Sequence, residues 1–233
     1  MLPQLAKLKG VALDLLFPRW CVGCGGEGDF LCPSCRQLLP RIMPPLCPRC
    51  GRPQPSGILC SSCVGWQAEI DGIRSPFRFD GVIRQSVHQL KYRNLRALAQ
   101  PLAKLLQDYL VTNPVPGEVL VPVPLHQKRF KERGYNQSRL LAWELGKLIN
   151  LPVVDDCLIR QRHASPQARA STVEERRRNV ANAFTCGDHR LQGKRVLLID
   201  DVCTSGATLD AGAVALKAAG ATAVWGLVLA REI

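Results

Sequence analysis

Asp200 and Asp201 end the apolar run VLLI, and Thr204, Ser205, Gly206, Ala207 and Thr208 follow after two further residues. Paired carboxylates at the end of a buried strand accept hydrogen bonds from a vicinal diol. They also favour positive charge developing on a ring held beside them. A short hydroxyl loop that opens a helix supplies backbone N–H groups and side-chain donors to a phosphate. Gly206 lets backbone and ligand approach closely. Diol at one end and phosphate at the other describe a cradle for ribose 5-phosphate. The lysine of a P-loop is absent from this segment.

A second chemistry sits at the front. Eight of eleven cysteines fall between positions 21 and 63, as the pairs Cys21/Cys24, Cys32/Cys35, Cys47/Cys50 and Cys60/Cys63. A C-x-x-C turn aims two thiolates at one point, which is half of a tetrahedral zinc site. The spacings C-x₂-C-x₇-C-x₂-C and C-x₂-C-x₉-C-x₂-C predict two structural Cys₄ ribbons with sequential pairing, interleaved pairing being the alternative. Glycine follows the first pair of each set, where the backbone must turn under the metal. A disulfide framework is disfavoured in a chain read as cytosolic. Cys157, Cys186 and Cys203 have no partner at metal spacing and read as ordinary buried thiols.

These groups need positioning by an α/β scaffold. Strands are expected over 72–80, 118–123, 152–159, 195–199 and 222–229, and helices over 82–110, kinked near Pro101, 136–149 and 208–219. Asn136 is the expected N-cap of its helix, and Gly220 the stop of the last one. The alternation implies a parallel sheet with helices on both faces, whose ligands bind at the carboxyl ends of the strands, where the aspartates lie. The loop 201–207 joins strand to helix, and residues 160–180 are basic and irregular. The expected domains are 1–70, with a short amphipathic helix and the ribbons, and 71–233.

Of the 233 residues, 46% are apolar and 21% charged, which is ordinary for a globular chain and excludes a disordered one. A net charge of +12 favours an anionic partner, either a phosphorylated small molecule or a nucleic-acid backbone. Asp14 interrupts the apolar N-terminus, and no run of some 18 apolar residues predicts a membrane span. Aromatic residues make up 6%, too few for a broad stacking platform; Trp20, Trp66, Tyr92 and Tyr135 are the candidates for exposure.

The segment VLLIDDVCTSGAT (196–208) resembles the motif by which type I phosphoribosyltransferases bind 5-phosphoribosyl-1-pyrophosphate (PRPP). Together with LLFPRWCVGC (15–24), LKYRN (90–94), VPVPLHQKRFKERGYNQSRLLA (121–142) and RRNVANAF (177–184), it gives nearly the whole chain a resemblance to the ComF/GntX family. The resemblance implies a type I phosphoribosyltransferase-like domain behind a small Cys₄ zinc-ribbon domain. It also implies Mg²⁺ accompanying PRPP and a cytosolic role in natural transformation, with single-stranded DNA and DNA-uptake proteins as partners. Pro124, Leu125 and His126 would line a pyrophosphate loop, with Arg133, Asn136 and Gln137 following and Lys91 a further phosphate contact; a solvated basic loop is the alternative for 128–134. Gln167, Arg176 and Asn179 would belong to a hood over the substrate. His88 and His126 are candidate acid–base groups. Thr204 stands where purine-salvage relatives carry an aspartate, which disfavours hypoxanthine or guanine as acceptor. Three functions compete: a PRPP-binding protein that handles single-stranded DNA, a transferase acting on an unidentified acceptor, and a non-catalytic PRPP sensor.

Overall fold

The structure, a computed structural model, describes residues 19–161 and 183–233. The expected N-terminal helix and Gln167, Arg176 and Asn179 lie outside these residues. After a short helix α1 (Pro33–Gln37) inside the cysteine-rich segment come β1 (Gly72–Arg74), β2 (Phe77–Arg78), α2 (Gly81–Tyr92), α3 (Ala99–Thr112), β3 (Val119–Pro122), α4 (Gln127–Arg133) and α5 (Gln137–Ile149). They are followed by β4 (Leu158–Arg160), β5 (Phe184–Cys186), β6 (Arg195–Cys203), α6 (Ala207–Ala218) and β7 (Ala223–Arg231).

The main sheet runs β1-β7-β6-β3, with β2 also pairing β7, and every pairing in it is parallel. Side chains alternate between its faces. Val196, Leu198, Val224 and Val228 pack with α6 in one buried cluster. Leu197, Ile199, Leu227 and Leu229 pack with α2, α3 and α5 in the other. Parallel strands covered on both faces explain why these runs are apolar throughout rather than alternating. The expected α/β class with a parallel sheet and flanking helices is what the chain adopts.

Several boundaries differ from expectation. The break in the 82–110 helix falls at Asn94, whose φ is +55°, and not at Pro101. Pro101 sits in the first turn of α3, where a missing N–H breaks no intrahelical bond. The expected strand 152–159 divides: Val153 makes a lone parallel bridge to Leu120, while Leu158–Arg160 forms an antiparallel pair with β5. Strand β6 continues to Cys203, so both aspartates belong to the strand. The segment 128–134 is mostly taken up by α4 (Gln127–Arg133), a helix with no buried residue, and so no apolar period announces it.

The two cysteine sets gather separately, Cys21, Cys24, Cys32 and Cys35 in one group and Cys47, Cys50, Cys60 and Cys63 in the other, the sulfurs of each lying within 4.8 Å of one another. The sequential pairing therefore holds. The ribbons grip different parts of the sheet. Around the first, Ile42 N–H donates to the Pro76 carbonyl (2.9 Å) and Arg78 N–H to that of Pro40 (2.8 Å). The second lies along β1, with Ile73 N–H donating to the Arg49 carbonyl at 2.7 Å and Arg74 Nη1 to the Pro48 carbonyl at 3.0 Å.

Candidate functional site

The metal-binding groups fit zinc. Four thiolates at about 2.3 Å from one ion stand about 3.8 Å apart, and the sulfurs of Cys24 and Cys32, like those of Cys50 and Cys60, are 3.7 Å apart. Gly25 and Gly51 both have φ near +70°, as the turn under each pair requires. Burial acts against ionisation of Cys21 and Cys47, but backbone N–H groups aimed at each sulfur outweigh it and bring both down to about 6. One such donor is Cys32 N–H to Cys21 Sγ at 3.4 Å, and another is Cys60 N–H to Cys47 Sγ at 3.5 Å. Closed Cys₄ sets of this kind hold structural zinc. Of the remaining thiols, Cys157 and Cys203 are buried as expected, but Cys186 is half-exposed. Burial, then the neighbouring Cys186, pushes Cys157 up to about 12, too high for a reactive thiolate.

The carboxylate pair lies at the carboxyl end of β6 and is held by α2 and α5. Ser138 Oγ donates to Asp200 Oδ1 at 2.7 Å, and so does the Asp201 N–H at 2.9 Å. Gln137 Nε2 donates to Asp201 Oδ1 at 3.3 Å, and Lys91 Nζ forms an ion pair with Asp201 Oδ2. Burial, followed by the Asp201 charge, raises Asp200 to about 7, against the pull of Ser138 and Lys91. Asp200 is thus poised to titrate near neutrality.

That shift has a measurable consequence. The folded value of Asp200 lies above its unfolded value, so its contribution is fully present below about pH 4 and is lost as pH rises through about 7. Asp200→Asn keeps an acceptor for Ser138 and removes the repulsion. Its melting temperature is expected to exceed wild type by roughly 5 °C or more at pH 8, narrowing as pH falls to 5, as scanning calorimetry would record. A constant gap across that range contradicts the assignment.

The loop after β6 turns on Gly206, whose φ is +83°. A Cβ there would lie 2.9 Å from Ile73 Cδ1 and 3.2 Å from Trp66 Cη2, so only glycine fits. Gly206 is the N-cap of α6, and the Ala207 N–H reaches Ser205 Oγ at 3.4 Å. Thr204, Ser205 and Thr208 are half-buried around it. The first-turn backbone of α6 and three hydroxyl residues therefore follow directly on the strand end that carries the aspartates.

Other expected residues divide. Lys91, Gln137 and, through an Arg133 Nη1 hydrogen bond to Gln137 Oε1, Arg133 all join the dyad. Asn136 caps α5 by accepting from Ser138 N–H at 3.0 Å, while its Nδ2 ties down the Val123 carbonyl at 2.9 Å. Pro124 and Leu125 lie in the loop after β3. His126 Nδ1 caps α4, accepting from Lys128 N–H at 3.2 Å, which makes it a structural cap in this arrangement. His88 packs between the Phe79 and Tyr92 rings. Trp66 and Tyr135, expected on the surface, are buried, while Trp20 and Tyr92 are exposed.

The sequence reading missed Ser138, Arg160 and a basic cavity. Arg160, at the end of β4, lies over the Phe184 ring. Burial and then Arg129 hold its guanidinium below the ordinary value, while Asp200 pulls the other way. A cavity of about 540 Å³ opens beside Lys91, lined also by Tyr92, Asn94, Arg96, Arg129 and Arg133. Arg133 stacks on Tyr92 and Arg96 on Tyr135. The signal for it was the basic density of 91–96 and 128–133, which only tertiary folding brings to one rim.

Residues 12–64 match the double zinc ribbon domain family. The chain is 29% identical to Competence protein ComFC of Bacillus subtilis over 206 residues, covering 83% of this chain and 80% of that one. It is 29% identical to Competence protein F of Haemophilus influenzae over 224 residues (90% and 96%). Identity to the DNA utilization protein YhgH of Escherichia coli K12 is 30% over 194 residues (81% and 85%). Among solved structures, the glutamine PRPP amidotransferase of B. subtilis complexed with ADP and GMP aligns at 21% identity and a TM-score of 0.39, over 56% of this chain and 26% of that one. The chain thus spans about a quarter of that enzyme. A purine phosphoribosyltransferase from Pyrococcus horikoshii aligns at 17% identity and a TM-score of 0.31, over 58% and 80%. Likenesses this loose do not bear on the chemistry. Among the described residues, no helix is long and apolar enough to cross a membrane.

Proposed function

Because the chain belongs to the family of the competence proteins ComFC and F and the DNA utilization protein YhgH, we propose that it binds Mg²⁺-PRPP and handles single-stranded DNA during DNA uptake. The observation that carries the first half is the Asp200–Asp201 pair set against the Gly206 turn and the N-terminus of α6. The carboxylates take the ribose 2′- and 3′-hydroxyls, and residues 204–208 take the 5′-phosphate through backbone N–H and hydroxyl donors. Lys91 and Arg133, which line the cavity beside the dyad, would supply positive charge to the pyrophosphate. Mg²⁺, arriving with the ligand, neutralises part of that charge. In this reading Lys91 also releases Asp201 to the diol when PRPP enters, and Ser138 and Gln137 keep the two carboxylates oriented. Calorimetric titration with Mg²⁺-PRPP tests it, and silence in the wild type abandons it.

The DNA half rests on the basic cavity next to the dyad. Arg96 and Arg129 line it and exposed Tyr92 offers a ring face, a combination suited to a phosphodiester chain with an occasional stacked base. Replacing Arg96 and Arg129 together by alanine is expected to weaken binding of a labelled oligothymidine. The slope of log affinity against log salt should become shallower by about 1.4, two single-strand phosphate contacts. Anisotropy titrations at several salt concentrations measure both, and an unchanged slope removes DNA from this cavity. The same cavity has room for a phosphoribosyl acceptor, which favours a transferase as the second reading. Pyrophosphate release from PRPP dependent on an added acceptor distinguishes it from binding alone.

A further inference from the structure

The two zinc ribbons pack on opposite faces of one sheet, and among the described contacts the second is the one that reaches the phosphate loop. Cys47, Cys50, Cys60 and Cys63 share a buried cluster with Trp66, Ile73, Ala207 and Leu209. Cys21 and Cys35 are buried instead with side chains of α2, α3 and α5.

The joint between the second ribbon and the loop has three parts. Arg231, at the end of β7, is 1% exposed. Its Nη1 donates to the Cys50 carbonyl and its Nη2 to the Thr204 carbonyl at 3.4 Å. One rigid guanidinium therefore spans a turn of the ribbon and the first residue of the loop. Trp66, three residues past Cys63, and Ile73 press on Gly206. Asp210, in the first turn of α6, accepts from the N–H groups of Glu69 (2.8 Å) and Ile70 (3.0 Å), which lie just beyond the ribbon.

Charge makes the joint conditional. A buried guanidinium is costly without a compensating negative charge. Among the described residues the hydrogen-bond partners of Arg231 are neutral carbonyls, and no carboxylate pairs with it. Four thiolates around one Zn²⁺ carry a net charge of about −2, and Cys50 is both one of those four and the residue whose carbonyl Arg231 holds. A loaded second ribbon would supply beside Cys50 the negative charge that no paired carboxylate provides among the described residues.

We propose that Arg231 is a positioning residue that couples the two sites: zinc in the second ribbon, and not in the first, holds residues 204–208 in their anion-binding shape. The proposal rests on reading that loop as the phosphate cradle, although its structural part stands without any ligand. It makes the metal a condition on phosphate-ligand affinity rather than a remote fold stabiliser.

Hydrogen–deuterium exchange on the full chain tests it, with zinc content measured in parallel for wild type, Cys32→Ser, Cys60→Ser, Arg231→Met and Arg231→Lys. Each cysteine variant is expected to lose one zinc of two. Measured against peptides of β3 and α5 in the same variant, exchange in peptides covering 203–210 should rise about tenfold in Cys60→Ser and Arg231→Met and keep the wild-type ratio in Cys32→Ser. Arg231→Lys, which retains charge but not the two-pronged reach, should keep both zincs and show an intermediate rate; it also carries the test if the methionine variant does not fold. Equal loop exchange in the two cysteine variants, or a wild-type loop rate in Arg231→Lys, overturns the proposal. Titration of Arg231→Lys with Mg²⁺-PRPP should show roughly tenfold weaker binding. Absence of binding in the wild type would remove the ligand reading and leave the exchange result to decide the coupling alone.

Discussion

A chain carrying both Asp200→Asn and Asp201→Asn is expected to bind Mg²⁺-PRPP at least about 100-fold more weakly than wild type, while keeping its fold and both zincs. Each ribose hydroxyl that donates to a buried carboxylate forms a charge-assisted bond of about 1.5–3 kcal/mol, and an amide replaces it with a neutral one. Two such losses, with reduced attraction for the accompanying Mg²⁺, give the factor. The fold survives because asparagine still accepts from Ser138 Oγ and from the backbone N–H of residue 201. Lys91 loses its carboxylate but lies at the rim of an open cavity and can turn to water. Calorimetric titration beside a zinc assay is the measurement. Undiminished affinity in the double variant would remove the aspartates from the site.

The second large effect is expected from Cys47→Ser. Cys47 is fully buried, and all four cysteines of its set belong to the core that underlies α6. Structural zinc contributes about 10–16 kcal/mol in isolated finger peptides, so even a quarter of that, about 3–4 kcal/mol, is a large share of an ordinary domain's stability. Zinc content should fall from two to one, and the melting temperature by more than about 10 °C. A chromogenic chelator titration and scanning calorimetry read these out. A variant that keeps two zincs, or melts with wild type, contradicts the assignment. The pattern should differ from that of the first ribbon, whose cysteines are partly exposed at Cys24 and Cys32.

Much of this was legible in the chain because local chemistry dictated it. Cysteine spacing fixes the two thiols of each pair, since a C-x-x-C turn is closed within four residues, while the choice of sequential over interleaved sets came from the fold. Asn136 announced a helix start because its side chain satisfies a backbone donor two residues away. What escaped depends on distant partners. Ser138 reaches Asp200 across 62 positions, and Arg231 reaches Cys50 across 181. No periodicity encodes such contacts. Strand β6 was expected to stop at Ile199 because two charges normally leave a buried strand. Here the lysine and hydroxyl partners from α2 and α5 let it continue, a local conflict of the kind that marks a site. The break at Asn94 was missed because an asparagine in left-handed backbone leaves no mark as loud as proline.

The order of strands carries a last consequence, in time rather than in space. Strand β7 lies between β1 and β6, yet it follows both in the chain. β1 has β7 as its sheet partner, about 150 residues away, so the surface against which the second ribbon settles exists only after the last strand has been made. Closure over such a distance is slow compared with local structure. A cysteine ribbon, by contrast, can close on its metal as soon as its own few dozen residues are present. During synthesis the second ribbon is therefore a finished part waiting for its seat, and β7 is the strand that locks ribbon, loop and sheet together in one late step.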